Sequence, residues 1–375
     1  MTRSPLLLTV LMLTVAAPAA SAQTTLDTMP RDTPVRTDAG ATVWSHFDPA
    51  INAFRLSVHR AGVISTPAIK PSVVAFDADV GPGPHGDPLV VYSRCESYDR
   101  NERPVGDCDL YLLDLANGVE RTLTRANSPA RELHPTIWHD QIAWVRDYAA
   151  NHPVVYRRAL SAPMSTRSTR VAGVPTRRCA HPRAAVRPPR ASCPLTTDRM
   201  ISQLELREQW LAQIVTYHGP DEPGFRSNEV RLVLLRTGQV RRVARTVTGL
   251  GGQTFLGLSF DARHLAWFKT CLAGGCDPRF ARVGAFRYRV ETGHLQLAID
   301  RAQLAGWAWT PGSTYHVENT LNPADCASPC PPANTSVMRS GEPDWKPLPT
   351  RDRGAVRGRL SNGGKTANKP SINAS

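Results

Sequence analysis

Gln141-Ile142-Ala143-Trp144-Val145-Arg146 and His264-Leu265-Ala266-Trp267-Phe268-Lys269 are one segment written twice. Each is a short apolar run between polar residues, as a buried strand requires. Each follows an aromatic-containing run and a turn: Ile137-Trp138-His139-Asp140 before the first, Ser259-Phe260-Asp261-Ala262 before the second. Weaker copies centre on Trp44, Tyr92, Val215 and His316. The pitch is about 50 residues, broken once between Trp144 and Val215, and a β-rich chain repeating at that pitch predicts propeller blades. Short β-rich runs separated by Gly, Pro, Asn and Asp fill the units, while helical periodicity is scarce. The stretch Leu204 to Ile214 admits a helix or two strands joined at Arg207-Glu208.

The clearest unit parses into four strands, a to d from the axis outward: Ser72 to Phe76, Leu89 to Ser93, Asp109 to Leu115, and Val119 to Thr124. The last two join at Ala116-Asn117-Gly118, and Asn-Gly between alternating runs is a strong hairpin signal. Phe286 to Val290, Glu291-Thr292-Gly293 and Leu295 to Ile299 repeat that plan. Leu110 to Thr124 resembles the outer hairpin of TolB-like, WD40-like propeller repeats, and Glu342-Pro343-Asp344-Trp345 resembles the opening of their inner strand. The resemblance covers roughly Ala41 to Pro349. It departs at the family's Ser-Pro-Asp-Gly turn, which is Phe260-Asp261-Ala262-Arg263 here, or the Gly/Pro-rich Asp79 to Asp87. It implies the fold, an all-β six-bladed propeller of exported bacterial proteins, and carries no activity with it. The N-terminal unit shows strands near Val43, Phe54 to Val58 and Val63 to Ile69 but no inner strand. Glu342 to Pro349 is an inner strand with no blade after it. Joining the two predicts ring closure by a C-terminal inner strand, which protects open sheet edges.

The ends set the compartment. Arg3, the apolar run Leu6 to Ala17 and Ala20-Ser21-Ala22 read as a leader cleaved before Gln23, which predicts a periplasmic or secreted protein. An uncleaved anchor is the alternative, but the apolar run is short of the roughly 20 residues a span needs. Residues 1–22 are thus signal peptide, 23–40 an N-terminal linker, 41–349 the propeller and 350–375 a disordered basic tail. In an exported chain the eight cysteines read as disulfides. They fall in sequence-local pairs: Cys95 with Cys108, Cys179 with Cys193, Cys271 with Cys276, and Cys326 with Cys330. Eight cysteines allow 105 connectivities, so the pairing is a prediction.

The net charge of +13 suggests a polyanion partner. Its distribution argues otherwise, because residues 157–199 hold ten Arg against one Asp, and residues 346–375 hold seven basic residues against one Asp. Neither segment interleaves aromatics with its basic residues, so no nucleic-acid partner is expected. The tail can touch anionic surfaces by charge alone. Nothing predicts a membrane span beyond the leader, and a monomer is expected.

In a four-stranded blade the b–c loops and d–a linkers emerge on one face, and all four cysteine pairs fall on such connections. Loops elaborated on one side of a rigid scaffold suggest a recognition surface; stability of long secreted loops is the other reading. Candidate ligand-binding residues form a polar ring at the channel mouth: His134, Lys70, Gln203, Gln253, Gln303 and Asp344. The same ring also reads as solvated filler. Trp138, Trp144, Trp267, Trp307, Trp309 and Trp345 read as packing between blades. There is no Gly-x-Ser-x-Gly elbow, HExxH helix, P-loop or EF-hand loop. No cofactor or metal is expected, since Asp77-Ala78-Asp79 is followed by Val, Gly and Pro rather than further ligands. The expected function is recognition of a protein or cell-envelope ligand through the disulfide-bearing face. The alternative is a lyase or hydrolase acting on a polymer near His134.

Overall fold

The computed structural model describes residues 23–99, 104–148, 152–163, 165–171, 198–218, 226–248, 253–271, 283–299, 304–320 and 334–348. These residues form antiparallel meanders, each strand pairing with the next. The first comprises β2 (Val35–Asp38), β3 (Ala41–Asp48), β4 (Ala53–Arg60) and β5 (Val63–Ser65). Its turns at Ala39-Gly40 and Ala61-Gly62 place both residues at positive φ (50° and 73°, 49° and 79°), the twist that two-residue hairpins need. The next are β6 (Asp77–Pro82), β7 (Pro88–Tyr98), β8 (Pro104–Asp114), β9 (Glu120–Thr122), then β10 (Arg131–Trp138), β11 (Gln141–Tyr148), β12 (His152–Ala159), β13 (Thr169–Arg170). A further meander is β14 (Asp198–Arg207), β15 (Trp210–His218), β16 (Arg226–Leu234) and β17 (Gln239–Thr248). After it come β18 (Gln253–Phe260), β19 (His264–Cys271), β20 (Gly284–Arg289) and β21 (Leu295–Ile299), with β25 (Lys346–Pro347) added outside. The last sheet is β22 (Leu304–Thr310), β23 (Ser313–Thr320), β24 (Asn334–Gly341) and, outermost, β1 (Thr24–Met29).

The architecture is an all-β propeller. Four of its five sheets are single meanders, while the fifth has eight strands because β8 and β10 share one parallel bridge, Arg131 to Cys108. The six separate sheets expected from the repeat are therefore not seen as six. The innermost strands pack in cyclic order, β2 on β6, β6 on β10, β10 on β14, β14 on β18, β18 on β22, and β22 back on β2. At two glycines the approach is close enough to exclude a side chain. A Cβ on Gly81 would lie 2.4 Å from the carbonyl oxygen of Ile137, and one on Gly257, at φ +65°, would lie 2.0 Å from that of Trp307. Apolar clusters fill the spaces between meanders, and the repeat-related Trp44, Trp144 and Trp267 are fully buried in them.

Side-chain bonds tie several neighbouring units together, most of them between inner strands, while Ser45 lies on β3 and Phe76 just before β6. Ser45 Oγ accepts from the amide of Phe76 (2.8 Å), Asp79 from Ile137 (3.2 Å), Thr136 from Leu206 (2.9 Å) and Ser259 from Trp309 (2.9 Å). Gln203 donates instead, from Nε2 to the carbonyl of Leu258 at 3.3 Å. Bulges interrupt β10, β14, β18 and β22 (between Leu133 and Thr136, Ile201 and Gln203, Leu256 and Ser259, Leu304 and Gly306). The innermost strand of a meander is also a sheet edge with unpaired backbone groups, and these neighbouring side chains supply partners for some of them.

Three expectations change. Residues 23–40, read as a linker, contain β1 and β2, and β2 is the inner strand thought missing from the first unit. Ser72 to Phe76 is not a strand; Ser72 makes an isolated bridge to Phe54, and the inner strand is Asp77–Pro82, read earlier as part of a turn. Aspartate, glycine and proline are turn formers in general, but here Asp79 faces a polar channel and Gly81 a close crossing. Finally, Glu342 onward does not supply an inner strand to the first blade. Lys346 and Pro347 pair with Leu297 and Gln296 on the outer edge of β21, while β1 pairs with β24. Pro343 and Pro347 lack amide donors, which confines this segment to an edge. Leu204 to Ile214 is the β14–β15 hairpin, turning at Glu208 with φ 51°.

Candidate functional site

The ring of inner strands carries alternating polar residues into the channel: Arg36-Thr37-Asp38 on β2, Asp77-Ala78-Asp79 on β6, Glu205-Leu206-Arg207 on β14. The apolar neighbours Val35, Val80, Leu204 and Leu206 turn into the cores, as period-two alternation demands. Asp79 and Glu205 are only 3% and 6% exposed. Burial raises Asp79 to about 6, against the opposing attraction of Arg36 and hydrogen bonds from Thr136 and Ile137. Burial and then repulsion from Asp79 hold Glu205 well above the usual carboxylate range, despite Arg36. Nearer the rim Asp38 is also raised by burial, partly offset by Arg207, whose Nη1 donates to it at 2.8 Å. Arg207 stands over Trp138, its Cζ 3.5 Å from the ring centroid, a cation–π seat for the guanidinium.

His134 lies in the bulge of β10 at φ 49°. Its amide donates to Asp77 at 2.6 Å, and its ring Nδ1 lies 3.1 Å from the same carboxylate oxygen. Burial opposes ionisation of Asp77, but His134, by charge and by these bonds, and Arg36 bring its carboxyl below the ordinary value. Above the channel, on the face of the a–b turns, a groove of about 320 Å³ is lined by Asp38, Arg207, Asp261, Arg263, His264 and Trp309 among others.

The polar ring expected at the channel mouth is not assembled as one site. His134 is engaged with Asp77, and Gln203 is buried on Leu258. Gln253, at the start of β18, takes a bond from Thr246 to its side chain and one from Asn228 to its carbonyl. Lys70 is exposed in the connection between β5 and β6. Asp344 is exposed on the C-terminal segment at the outer edge of β21 and pairs with Lys346 at 3.2 Å, so it is not at a channel mouth. Gln303 lies outside the described residues. Of the channel residues, Asp79 is weighed from the sequence only as a metal ligand, and Arg36, Asp38, Glu205 and Arg207 are not among the candidate site residues. Their signal was available as polar residues at alternate positions of otherwise apolar strands.

On the opposite face, β7 and β8 run on past the sheet as a hairpin. Cys95 and Cys108 sit directly across from each other in its register and are disulfide-bonded. Beyond them Glu96, Ser97, Val105, Gly106 and Asp107 are exposed. Burial, reinforced by repulsion from Asp107 and Glu96, raises Asp109 at the hairpin's base. Cys271 ends β19; Cys179, Cys193, Cys276, Cys326 and Cys330 lie outside the described residues. Among the described residues no group of three or more His, Cys, Asp or Glu is placed to hold a metal ion. No described helix is long and apolar enough to cross a membrane.

No protein-family model matches the sequence, and no curated protein matches it. Solved structures align with it at low identity. TolB from Acinetobacter baumannii aligns at a TM-score of 0.46 and 13% identity over 82% of this chain and 65% of that one. A puromycin-hydrolyzing peptidase from Mycobacterium tuberculosis aligns at 0.49 and 11% over 85% of this chain and 52% of that one. The β-propeller domain of the Trilobed protease from Pyrococcus furiosus, described as having an open velcro topology, aligns at 0.38 and 8% over 85% and 98%. The chain thus spans less than two thirds of the first two proteins' length. The propeller assignment rests on the strand order above rather than on these likenesses.

Proposed function

We propose that this chain is an exported scaffold propeller of six blades that recognises a protein or cell-envelope ligand through the face bearing the Cys95–Cys108 hairpin. The count takes the eight-stranded sheet as two blades, β6 to β9 and β10 to β13, joined at the Arg131–Cys108 bridge. Export draws on the leader read in residues 1–22 and on a disulfide, which persists in oxidising compartments. The propeller body runs from Thr24 to Leu348, with residues 350–375 as a basic tail able to touch anionic surfaces. The carrying observation is the hairpin. Its strands are eleven residues each, against six for the inner strand of the same meander, and its exposed tip is clamped where it leaves the sheet. Antiparallel order places the tip on the same face as the linkers between blades. The test replaces residues 94–109 with a tight turn and compares capture of partners from envelope extract with the intact chain. Binding lost with melting preserved supports the reading; capture unchanged by the edit removes it.

A second reading, a propeller enzyme acting on a polymer, draws on the Asp77–His134 pair. An imidazole oriented by a carboxylate is the arrangement of a general base. The neighbouring carboxylates Asp79 and Glu205 are enclosed. Loss of an envelope-polymer-degrading activity in His134→Gln, with unchanged folding, would favour it over the scaffold reading.

A further inference from the structure

A groove of about 460 Å³ lies where the outer half of the β18–β21 sheet meets the C-terminal segment. His264, Arg287, Arg289, His294 and Gln296 line it together with Leu295 and Pro347, so its polar wall holds donors and no carboxylate. Arg287 and Arg289 are alternate residues of β20 and share a face of the sheet. The nearby Asp261 and Glu342 are already hydrogen-bonded. Asp261 accepts from the amides of Arg263 (2.6 Å) and His264 (2.5 Å) and from His264 Nδ1 (3.1 Å), which leaves His264 Nε2 for the groove, where it donates when the ring is protonated. Glu342 receives Trp309, Gly312, Trp345 and Arg287. Gln296 Oε1 accepts from Arg287 Nε at 3.0 Å, so its amide NH₂ remains as a donor. The Nε of Arg289 is buried without a partner, and its Nη2 reaches Glu291 only at 3.9 Å.

Two guanidinium groups and two imidazoles along a wall without a carboxylate call for an anion. Guanidinium forks match tetrahedral oxyanions through paired hydrogen bonds, and a dianion gains more from two of them than a carboxylate does. The volume falls within the roughly 300–1,000 Å³ of small-molecule pockets, more than a bare anion fills. We propose that this groove binds a phosphate monoester, with Arg289, His294, His264 Nε2 and the Gln296 amide on the phosphate and Arg287 fixing the wall. His294 follows the β20–β21 turn, so the groove opens away from the Cys95–Cys108 face and stands apart from the recognition surface proposed above.

Calorimetric titration of the intact chain with glucose 6-phosphate, glucose and inorganic phosphate, beside flotation with phosphatidic acid and phosphatidylcholine vesicles, tests this. Glucose 6-phosphate should bind at least tenfold tighter than glucose, and Arg289→Gln/His294→Gln should lose at least tenfold while melting like the parent. If that pair fails to fold, Arg289→Lys, which keeps charge and loses the fork, should still lose severalfold. Arg245→Gln, an exposed arginine on β17, should change nothing. Binding of the soluble ester identifies a soluble ligand; binding only to phosphatidic acid, lost in the double variant, identifies a lipid headgroup. Indifference between glucose and its phosphate with no selective vesicle binding overturns the proposal, as does an equal loss in Arg245→Gln.

Discussion

The carboxylate of Glu342 accepts the indole N–H of Trp309 at 3.1 Å, across 33 residues of sequence. The same oxygen takes the amide of Gly312 at 2.7 Å, and the other takes Arg287 Nη1 at 3.1 Å and Trp345 Nε1 at 2.5 Å. Arg287 also stands over the Trp345 ring, 4.5 Å from its centroid. One side chain thus pins the β22–β24 sheet to the neighbouring β18–β21 sheet. Glu342→Ala leaves two indoles and a guanidinium without their acceptor and should cost about 1 kcal/mol, at the low end for charge-assisted bonds because the site is partly exposed. Glu342→Gln, which keeps an acceptor oxygen, should cost less. Urea denaturation of both variants reads the difference, and an alanine variant as stable as the parent rejects the clasp.

Closure through the N-terminus orders three truncations. Removing residues up to Met29 strips β1 from β24, exposes that edge and opens the cluster around Met29, Trp44 and Val337. It also removes Asp27, whose carboxylate accepts Trp44 Nε1 at 2.7 Å. Removing Glu342 onward takes only the clasp and the short β25, and removing 351 onward takes neither. Melting temperatures should fall most for the first, less for the second and hardly for the third. A reversal of the first two would place the closure at the C-terminus after all.

Asp79 makes native stability depend on pH in a stated direction. Its folded value of about 6 lies above the unfolded value near 3.9, so the native state holds a proton that the unfolded chain has released. Stability therefore falls as pH rises from about 4 to 6, by at most ~3 kcal/mol, and stays lowered above. Asp79→Asn removes the ionisation and keeps an acceptor for the Ile137 amide. Its stability relative to the parent should rise between pH 4 and pH 6 and hold at pH 8. A difference that is flat with pH would mean the carboxylate is not confined as described.

The crossings of the inner strands predict intolerance at two glycines. Alanine at Gly257 must displace the Trp307 carbonyl and also occupy φ +65°, and alanine at Gly81 meets the Ile137 carbonyl. Both should lower the melting temperature steeply, by the equivalent of several kcal/mol, as overpacking against backbone does. Gly40, at φ +73° with open space around it, separates the two causes. Alanine there should cost about 1 kcal/mol from the backbone alone. Thermal melts of the three variants distinguish crowding from conformation.

Reduction of Cys95–Cys108 releases a loop of sequence separation 13. Chain entropy sets an upper value of about 3 kcal/mol. The clamp sits where the hairpin leaves the sheet, so Cys95→Ser/Cys108→Ser should lose less than that while the exposed tip gains protease sensitivity. Limited proteolysis beside calorimetry checks it. Unchanged cleavage at the tip would show that the strands alone order it.

The repeat was legible because propeller blades bury their second strand on both sides. Trp144 and Trp267 sit at equivalent positions and are fully buried, as are the apolar residues around them. The Cys95–Cys108 pair was legible for a similar reason, since a hairpin brings sequence-local cysteines opposite each other. The inner strands were harder. They lie at the channel, where Asp77, Asp79, Glu205 and Arg36 are at home, so Asp77–Pro82 reads as a turn and Val35–Asp38 as linker.

By itself the sequence determined the all-β class, the repeating meander and the placement of the repeat tryptophans in the cores. Each follows from local alternation and turn chemistry, which act over a few residues. The tertiary structure alone decided how the ring is tied. That choice pairs Thr24–Met29 with Asn334–Gly341 and sets Glu342 between Trp309 and Arg287. It also decided which polar residues meet, bringing Asp79 beside Glu205 and Asp38 onto Arg207. Those partners are separated by 126 and 169 residues, counted from 79 to 205 and from 38 to 207. No period or propensity links positions so far apart. Only the closing of inner strands around one axis makes them neighbours, and burial then gives their charges the shifts that the isolated segments would not show.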